Sequence, residues 1–263
     1  MFNFRKEKET EETKSKAVIS IWGSPSSGKT TVATKLAKAI SEHKINTTLV
    51  LCDNVTPMLP CIMPPDEING QEKSLGNLLS KVNITESMVK DNLMLVKGNP
   101  YLSVLSYLKS ENEYTYSPYT QIQAEELIDS VKELSSVVIF DCTSALTQNI
   151  LSTTAMLNSD YVINLITCDL KSISFLSSQL SMLYSKGFDK LAMYRVLSKI
   201  ESNSNKEQVS VATGKTAFEL EYSKELDDQF INGNLLEDLV YKNSRNFRKE
   251  VNKILKETLE VNA

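Results

Sequence analysis

Between the apolar run AVISIW and a segment of helical spacing, VATKLAKAI, the chain reads GSPSSGKTT, Gly23 to Thr31. Gly23, Gly28, Lys29 and Thr30 satisfy G-x-x-x-x-G-K-[ST], and the strand before and helix after are the context this loop requires. The chemistry is phosphate binding. Glycines let the backbone curl so that its N–H groups face phosphate oxygens, and the start of the following helix adds its dipole. Gly23, Ser24, Pro25, Ser26, Ser27, Gly28, Lys29, Thr30 and Thr31 are therefore the candidate contacts to a nucleoside triphosphate. Lys29 is the expected catalytic cation, reaching the β- and γ-phosphates, and the Thr30 hydroxyl is expected on Mg²⁺.

Such a loop needs a second oxygen ligand for the metal, at the end of a neighbouring buried strand. Asp141, closing the apolar run VVIFD, fills that role: taken alone it reads sooner as a helix cap, and its pairing with the loop favours the metal. Asp53 or Asn54, after the run TTLVLC, could orient the attacking water, although turn chemistry ahead of a Pro-rich loop accounts for both about as well. Cys52, Cys61, Cys142 and Cys168 have no metal-ligand spacing and read as small buried thiols.

The elements that must hold these groups alternate along the chain. Strands are expected at 18–22, 47–52, 92–98, 137–141, 160–167 and 191–199. Helices are expected from about Thr30 with Val32, Leu36, Ala37 and Ile40 on one face, and over 75–82, 124–135, 144–159 and 174–187. A Pro-rich loop runs from Pro57 to Pro65. Strands that are apolar throughout and separated by helices specify an α/β fold: a mostly parallel twisted sheet with helices on both faces, Rossmann-like, with right-handed crossovers. No internal repeat or long linker divides it. The expected organisation is a charged flexible tail over 1–16 and one P-loop nucleotide-binding domain over 17–263.

With these motifs in order, the chain resembles the MinD/ParA group of P-loop ATPases, and especially its CpaE/TadZ-like branch. The resemblance covers about Ala17 to Tyr241. It rests on GKTT, on LVLCDN, on VVIFDCTSALTQNILSTTAMLNSDYVINLIT, and on ELEYSKELDDQFINGN as the family's late loop before an Asn-Gly turn. It implies ATP with Mg²⁺ as cofactors and a switch whose nucleotide state governs homodimerisation. It also implies recruitment to a protein partner in a membrane-associated assembly, such as pilus or secretion machinery. RVLSK stands at the family's V-x-N-[KR] adenine contact, which makes Ser198 a nucleotide contact by implication. Three departures follow. Ser24 and Pro25 replace the signature Lys and a glycine, the D-x-D acids match in neither register, and Ser198 replaces Asn. Hydrolysis is accordingly expected to be slow, well below one turnover per second. The competing readings are a P-loop kinase or phosphotransferase, which the few arginines (Arg5, Arg195, Arg245, Arg248) disfavour, and a nucleotide-binding scaffold without turnover.

Bulk composition narrows the partners. Of 263 residues 41% are hydrophobic and 24% charged, and the formal net charge is -4, so a wholly nucleic-acid-binding surface is not expected, with DNA left open as a partner. The start MFNFRKEKETEETKSK lacks the apolar core of a signal peptide, and no stretch has about 18 consecutive apolar residues, so a cytoplasmic location is expected. Phe2 and Phe4 are stray aromatics in the tail. At the far end, Phe247, Val251, Ile254, Leu255 and Leu259 form one apolar stripe on a helix. From Lys242 onward six basic residues face three acids, so this helix reads either as packed on the protein's own core or as a peripheral anchor on the inner face of a membrane.

Overall fold

The computed structural model describes residues 16–64, 73–185, 188 and 193–259. All but the last residue of the expected tail, with Phe2 and Phe4, and Pro65 at the end of the Pro-rich loop lie outside the described residues. Strand β1 (Ala17–Gly23) leads into helix α1 (Lys29–Glu42), followed by β2 (Thr47–Leu51) and the short helices α2 (Leu59–Ile62), α3 (Leu75–Leu79) and α4 (Glu86–Asn92). Strands β3 (Met94–Leu95) and β4 (Leu102–Ser106) precede α5 (Gln121–Leu134), β5 (Val137–Asp141), α6 (Ile150–Leu157) and β6 (Tyr161–Thr167). The chain continues through α7 (Leu170–Ser185), β7 (Met193–Ile200), α8 (Lys206–Thr213), β8 (Phe218–Glu221), α9 (Lys224–Asn232) and α10 (Arg245–Leu259).

The eight strands form one sheet in the order β3-β4-β2-β5-β1-β6-β7-β8. Every neighbouring pair is parallel except β3 with β4. This is the expected α/β sheet covered on both faces. Period-two alternation divides its strands between two cores. Ile19, Ile21, Leu49, Leu51, Ile139 and Leu165 point to one core, which α1 and α10 cover. Val18, Trp22, Val50, Phe140, Val162 and Ile166 point to the other, beneath α5, α6 and α7.

Several elements differ from expectation for local reasons. The single helix expected over 144–159 is divided: a 3₁₀ turn covers Leu146–Gln148, then the Asn149 side chain accepts from Ser152 N at 2.8 Å and caps α6. The strand expected over 92–98 contracts to two residues. Beside it lies β4, whose serines gave no strand signal. Ser103 is satisfied inside the core by the Thr48 hydroxyl at 2.8 Å. The late loop is largely helix α9, ended by Gly233 at φ 74°, where a Cβ would stand 2.6 Å from the Pro60 carbonyl. The apolar stripe of α10 is buried in the first core, so the packed reading of that helix holds and the stripe does not face outward.

Candidate functional site

Strand β1 lies between β5 and β6, and the loop after it curls over the C-terminal edge of the sheet, where crevices in open α/β sheets bind ligands. Gly23 is fixed by close approach, since a Cβ there would lie 2.2 Å from the Leu165 carbonyl oxygen. Gly28 takes φ 86° and stands at the N-cap of α1 without a side-chain cap, and no acid occupies the first turn. The first N–H groups of α1 thus remain for an anion.

Lys29 and Thr30 project from this turn. The Lys29 ammonium donates to the Ser144 hydroxyl at 2.7 Å and to the Ser24 carbonyl at 3.2 Å, while Ser144 donates onward to the Gly23 carbonyl at 2.8 Å. Burial lowers the Lys29 pKa against the attraction of Asp141 and Asp53. The Thr30 hydroxyl donates to Asp141 Oδ2 at 2.6 Å, and Asp141 Oδ1 is buried with no partner. Burial pushes the Asp141 carboxyl up to about 6, with the Thr30 hydrogen bond and the Lys29 charge pulling the other way. An orphaned carboxylate oxygen beside a threonine hydroxyl fits a hard, oxygen-seeking cation. Among the described residues no group of three or more His, Cys, Asp or Glu side chains could hold a metal alone. A Mg²⁺ ion would therefore complete its shell with phosphate oxygens and water.

Lys29, Thr30, Thr31, Asp53, Asp141 and Lys199 border a cavity of about 340 Å³, with Ser26, Gly28 and Asp227 at its wall. The two water-orienting candidates separate here. Asp53 lines the cavity, with Oδ1 accepting from Val55 N at 2.9 Å and Thr56 N at 2.8 Å. Asn54 does not line it: its side-chain oxygen accepts from Asn149 Nδ2 at 3.1 Å, and the residue borders a different cleft. Of the two candidates Asp53 therefore borders the cavity, and Asn54 is held at the neighbouring cleft by Asn149.

The remaining loop residues hold shape. Ser24 is 2% exposed, its hydroxyl 2.6 Å from that of Ser172, while Pro25 and Ser26 are exposed. Ser27 is buried and its hydroxyl has no partner. Ser198 donates to the Ser27 carbonyl at 2.7 Å and is buried, so it braces the loop from beneath. Sequence reasoning passed over Ser144, Lys199 and Asp227. Lys199, next to Ser198 and at φ 53°, lies within RVLSK, and Ser144, three residues after Asp141, within VVIFDCTSALTQ, so the signal for each was its place beside a site residue. Asp227 lies within the late loop ELEYSKELDDQFINGN, but only the placement of α9 brings it to the cavity.

Comparison with known proteins is consistent with this geometry. A family model described as an AAA domain matches residues 17–191. No curated protein matches the sequence. Among solved structures, the cell division ATPase MinD of Pyrococcus furiosus superposes with a TM-score of 0.70 at 16% identity, covering 92% of this chain and 99% of that one. The septum site-determining protein MinD of Pyrococcus horikoshii OT3, complexed with Mg-ADP, gives 0.71 at 17% identity, with 92% and 97% covered. A ParA family ATPase of Chlorobium tepidum TLS gives 0.74 at 13% identity, with 91% and 98% covered. At these identities the likeness establishes the fold.

Proposed function

The chain belongs to the AAA-domain family, and from that premise we propose that it is a slow ATP-dependent switch of MinD/ParA type, whose nucleotide state controls self-association and recruitment of a partner assembly. The observation that carries this reading is the pairing of Thr30 with Asp141, whose second oxygen is buried and unpartnered, at the uncapped start of α1. Lys29 would hold the β- and γ-phosphates, and Thr30 and Asp141 the Mg²⁺, as the Mg-ADP of the Pyrococcus horikoshii protein suggests by analogy. The metal would neutralise charge on the phosphate oxygens. Asp53, at the cavity wall, would orient the attacking water; Asn54 is not assigned that role.

Slow turnover is inferred from what surrounds the loop. Ser24 is neutral and brings no cation to a second subunit, and its side chain is turned inward onto Ser172. That same feature supports a scaffold that binds nucleotide with little hydrolysis. A kinase gains no support, since Arg195 packs against Gly214, where a Cβ would stand 2.8 Å from its Nη1, and Arg245 and Arg248 belong to α10. The partner class follows from the resemblance to the CpaE/TadZ-like branch: pilus or secretion machinery approached from the cytoplasmic face, with peripheral membrane contact and DNA as further partners to test. Among the described residues no helix is long and apolar enough to cross a membrane.

Calorimetry with Mg-ATP tests the site. Lys29→Ala should lose at least tenfold in affinity, about the 1.5–3 kcal/mol of a charged hydrogen bond, while the ligand-free melting temperature holds. Single-turnover phosphate release by the parent should run below about one per second. Equal affinity in mutant and parent overturns the site, and fast release overturns the slow switch.

A further inference from the structure

Beyond the loop, at the same edge of the sheet, a second cleft of about 150 Å³ opens between the segment after β2, helix α3, the loop 107–120 and the start of α6. Three tyrosines form its walls. Tyr116 donates its hydroxyl to Glu111 Oε1 at 2.6 Å, and Glu111 Oε2 accepts from Ser74 Oγ and Leu108 N, each at 2.7 Å. Tyr119 accepts from Leu151 N at 3.1 Å, and Tyr107 is buried beside it. The rings close over Gly76, where a Cβ would lie 2.5 Å from Tyr116 Cδ2 and 2.7 Å from Tyr107 Cε1. Phenols committed in this way present ring carbon to the cleft, and the carboxylate behind Tyr116 makes its ring richer in electrons.

The polar lining has one sign. Glu113 is exposed at the cleft and has no hydrogen bond or ion pair among the described residues, and no Lys, Arg or His is among the residues that line it. Aromatic walls with an unpaired carboxylate suit a cation, and a planar guanidinium suits them best, because it stacks on rings and forks onto carboxylates. The volume admits one side chain. Ile150 at its mouth is 42% exposed, and Tyr114 and Val55, next in sequence to the lining Glu113 and Asn54, are 88% and 66% exposed, apolar surface that a polypeptide can cover and a free ion cannot. We propose that this cleft is a docking pocket for an arginine side chain presented by a protein partner. Its occupant touches Asn54, bonded to Asn149, and Gln148 and Ile150, so it rests on the two segments that also carry Asp53 and Asp141.

The test needs no nucleotide, so its failure leaves the ATP reading untouched. Protein with ring-labelled tyrosine is titrated by NMR with the blocked peptide acetyl-Gly-Arg-Gly-amide and with the same peptide carrying neutral citrulline. The arginine peptide should give saturable shifts at Tyr107, Tyr116 and Tyr119 at about 10 mM or below, and the citrulline peptide none. Glu113→Gln, at an exposed position that does not threaten folding, should weaken binding about fivefold, the scale of one exposed ion pair. Tyr116→Leu should abolish it, and Tyr116→Phe should keep most of it. Equal shifts with citrulline, no shifts with arginine, or an unchanged affinity in Glu113→Gln each overturn the proposal.

Discussion

Ser144 meets Lys29 at 2.7 Å and passes the contact on to Gly23, so the ammonium proposed to hold phosphate already has a partner. Ser144→Ala removes the competitor. Mg-ATP binding should then tighten about two- to tenfold, matching a net 0.5–1.5 kcal/mol for one hydrogen bond, and a weaker affinity in calorimetry would recast Ser144 as a direct phosphate ligand. Ser24 carries the opposite lesson. Restoring a lysine there looks like restoring a lost function, yet the side chain is enclosed and bonded to Ser172. Ser24→Lys should therefore destabilise the fold by about 3 kcal/mol or more, as an ammonium forced into a buried site does, without faster phosphate release. A melting temperature within a degree of the parent would show that the loop can turn this residue outward.

Among the elements, α10 and α9 do more to hold the loop helix than their sequences announce. Helix α10 buries Phe247, Val251, Ile254, Leu255 and Leu259 against the first core, beside α1, and leaves Arg248, Lys249, Lys253 and Lys256 to solvent. Leu255→Ala, at a fully buried position, should cost about 2–5 kcal/mol in urea unfolding. A near-neutral result would mean that α10 detaches readily and that its stripe is free for a lipid surface after all. On α9, Glu225 accepts from Val240 N at 2.7 Å, from Tyr241 N and from Ser244. Burial raises its pKa, but these hydrogen bonds outweigh that and hold it below the ordinary value. Gln229, one turn on, receives Lys35 of α1 at 2.6 Å. Glu225 and Gln229 thus fix α9, and with it Asp227, at the cavity beside the loop.

For the whole molecule, Lys35 sets an alkaline signature. Burial first, and the neighbouring Lys38 charge next, lower its pKa from 10.5 to about 8. The unfolded chain then binds more protons than the fold between those values, so stability is reduced below pH 8 and recovers as pH rises toward 10.5. The full span corresponds to about 3 kcal/mol at most. Urea unfolding at pH 8 and pH 10 should show this rise in the parent relative to Lys35→Met, in which it should vanish; parallel curves for the two proteins would refute it. The gain belongs to the assembled fold, because the groups that enclose Lys35, Gln229 and the Glu237 carbonyl, come from some two hundred residues along the chain.

Read alone, the sequence determined the loop, its strand and helix, the acid at the end of β5, and the two-sided parallel sheet. Each of these is a local pattern: fixed spacing at 23–30, apolar runs of strand length, apolar positions at helical period. Strand β4 escaped because Ser103 looks polar in isolation and is buried only by grace of Thr48. What the tertiary structure decided is where side chains point once backbones are set. Ser24 turns in because Ser172 receives it, Ser198 supports the loop because Ser27 lies above it, and Asn54 leaves the cavity because Asn149 holds it. The partner in each pair lies between about 95 and 171 residues away, beyond the reach of any periodicity, so only packing could choose among the roles these polar groups can play.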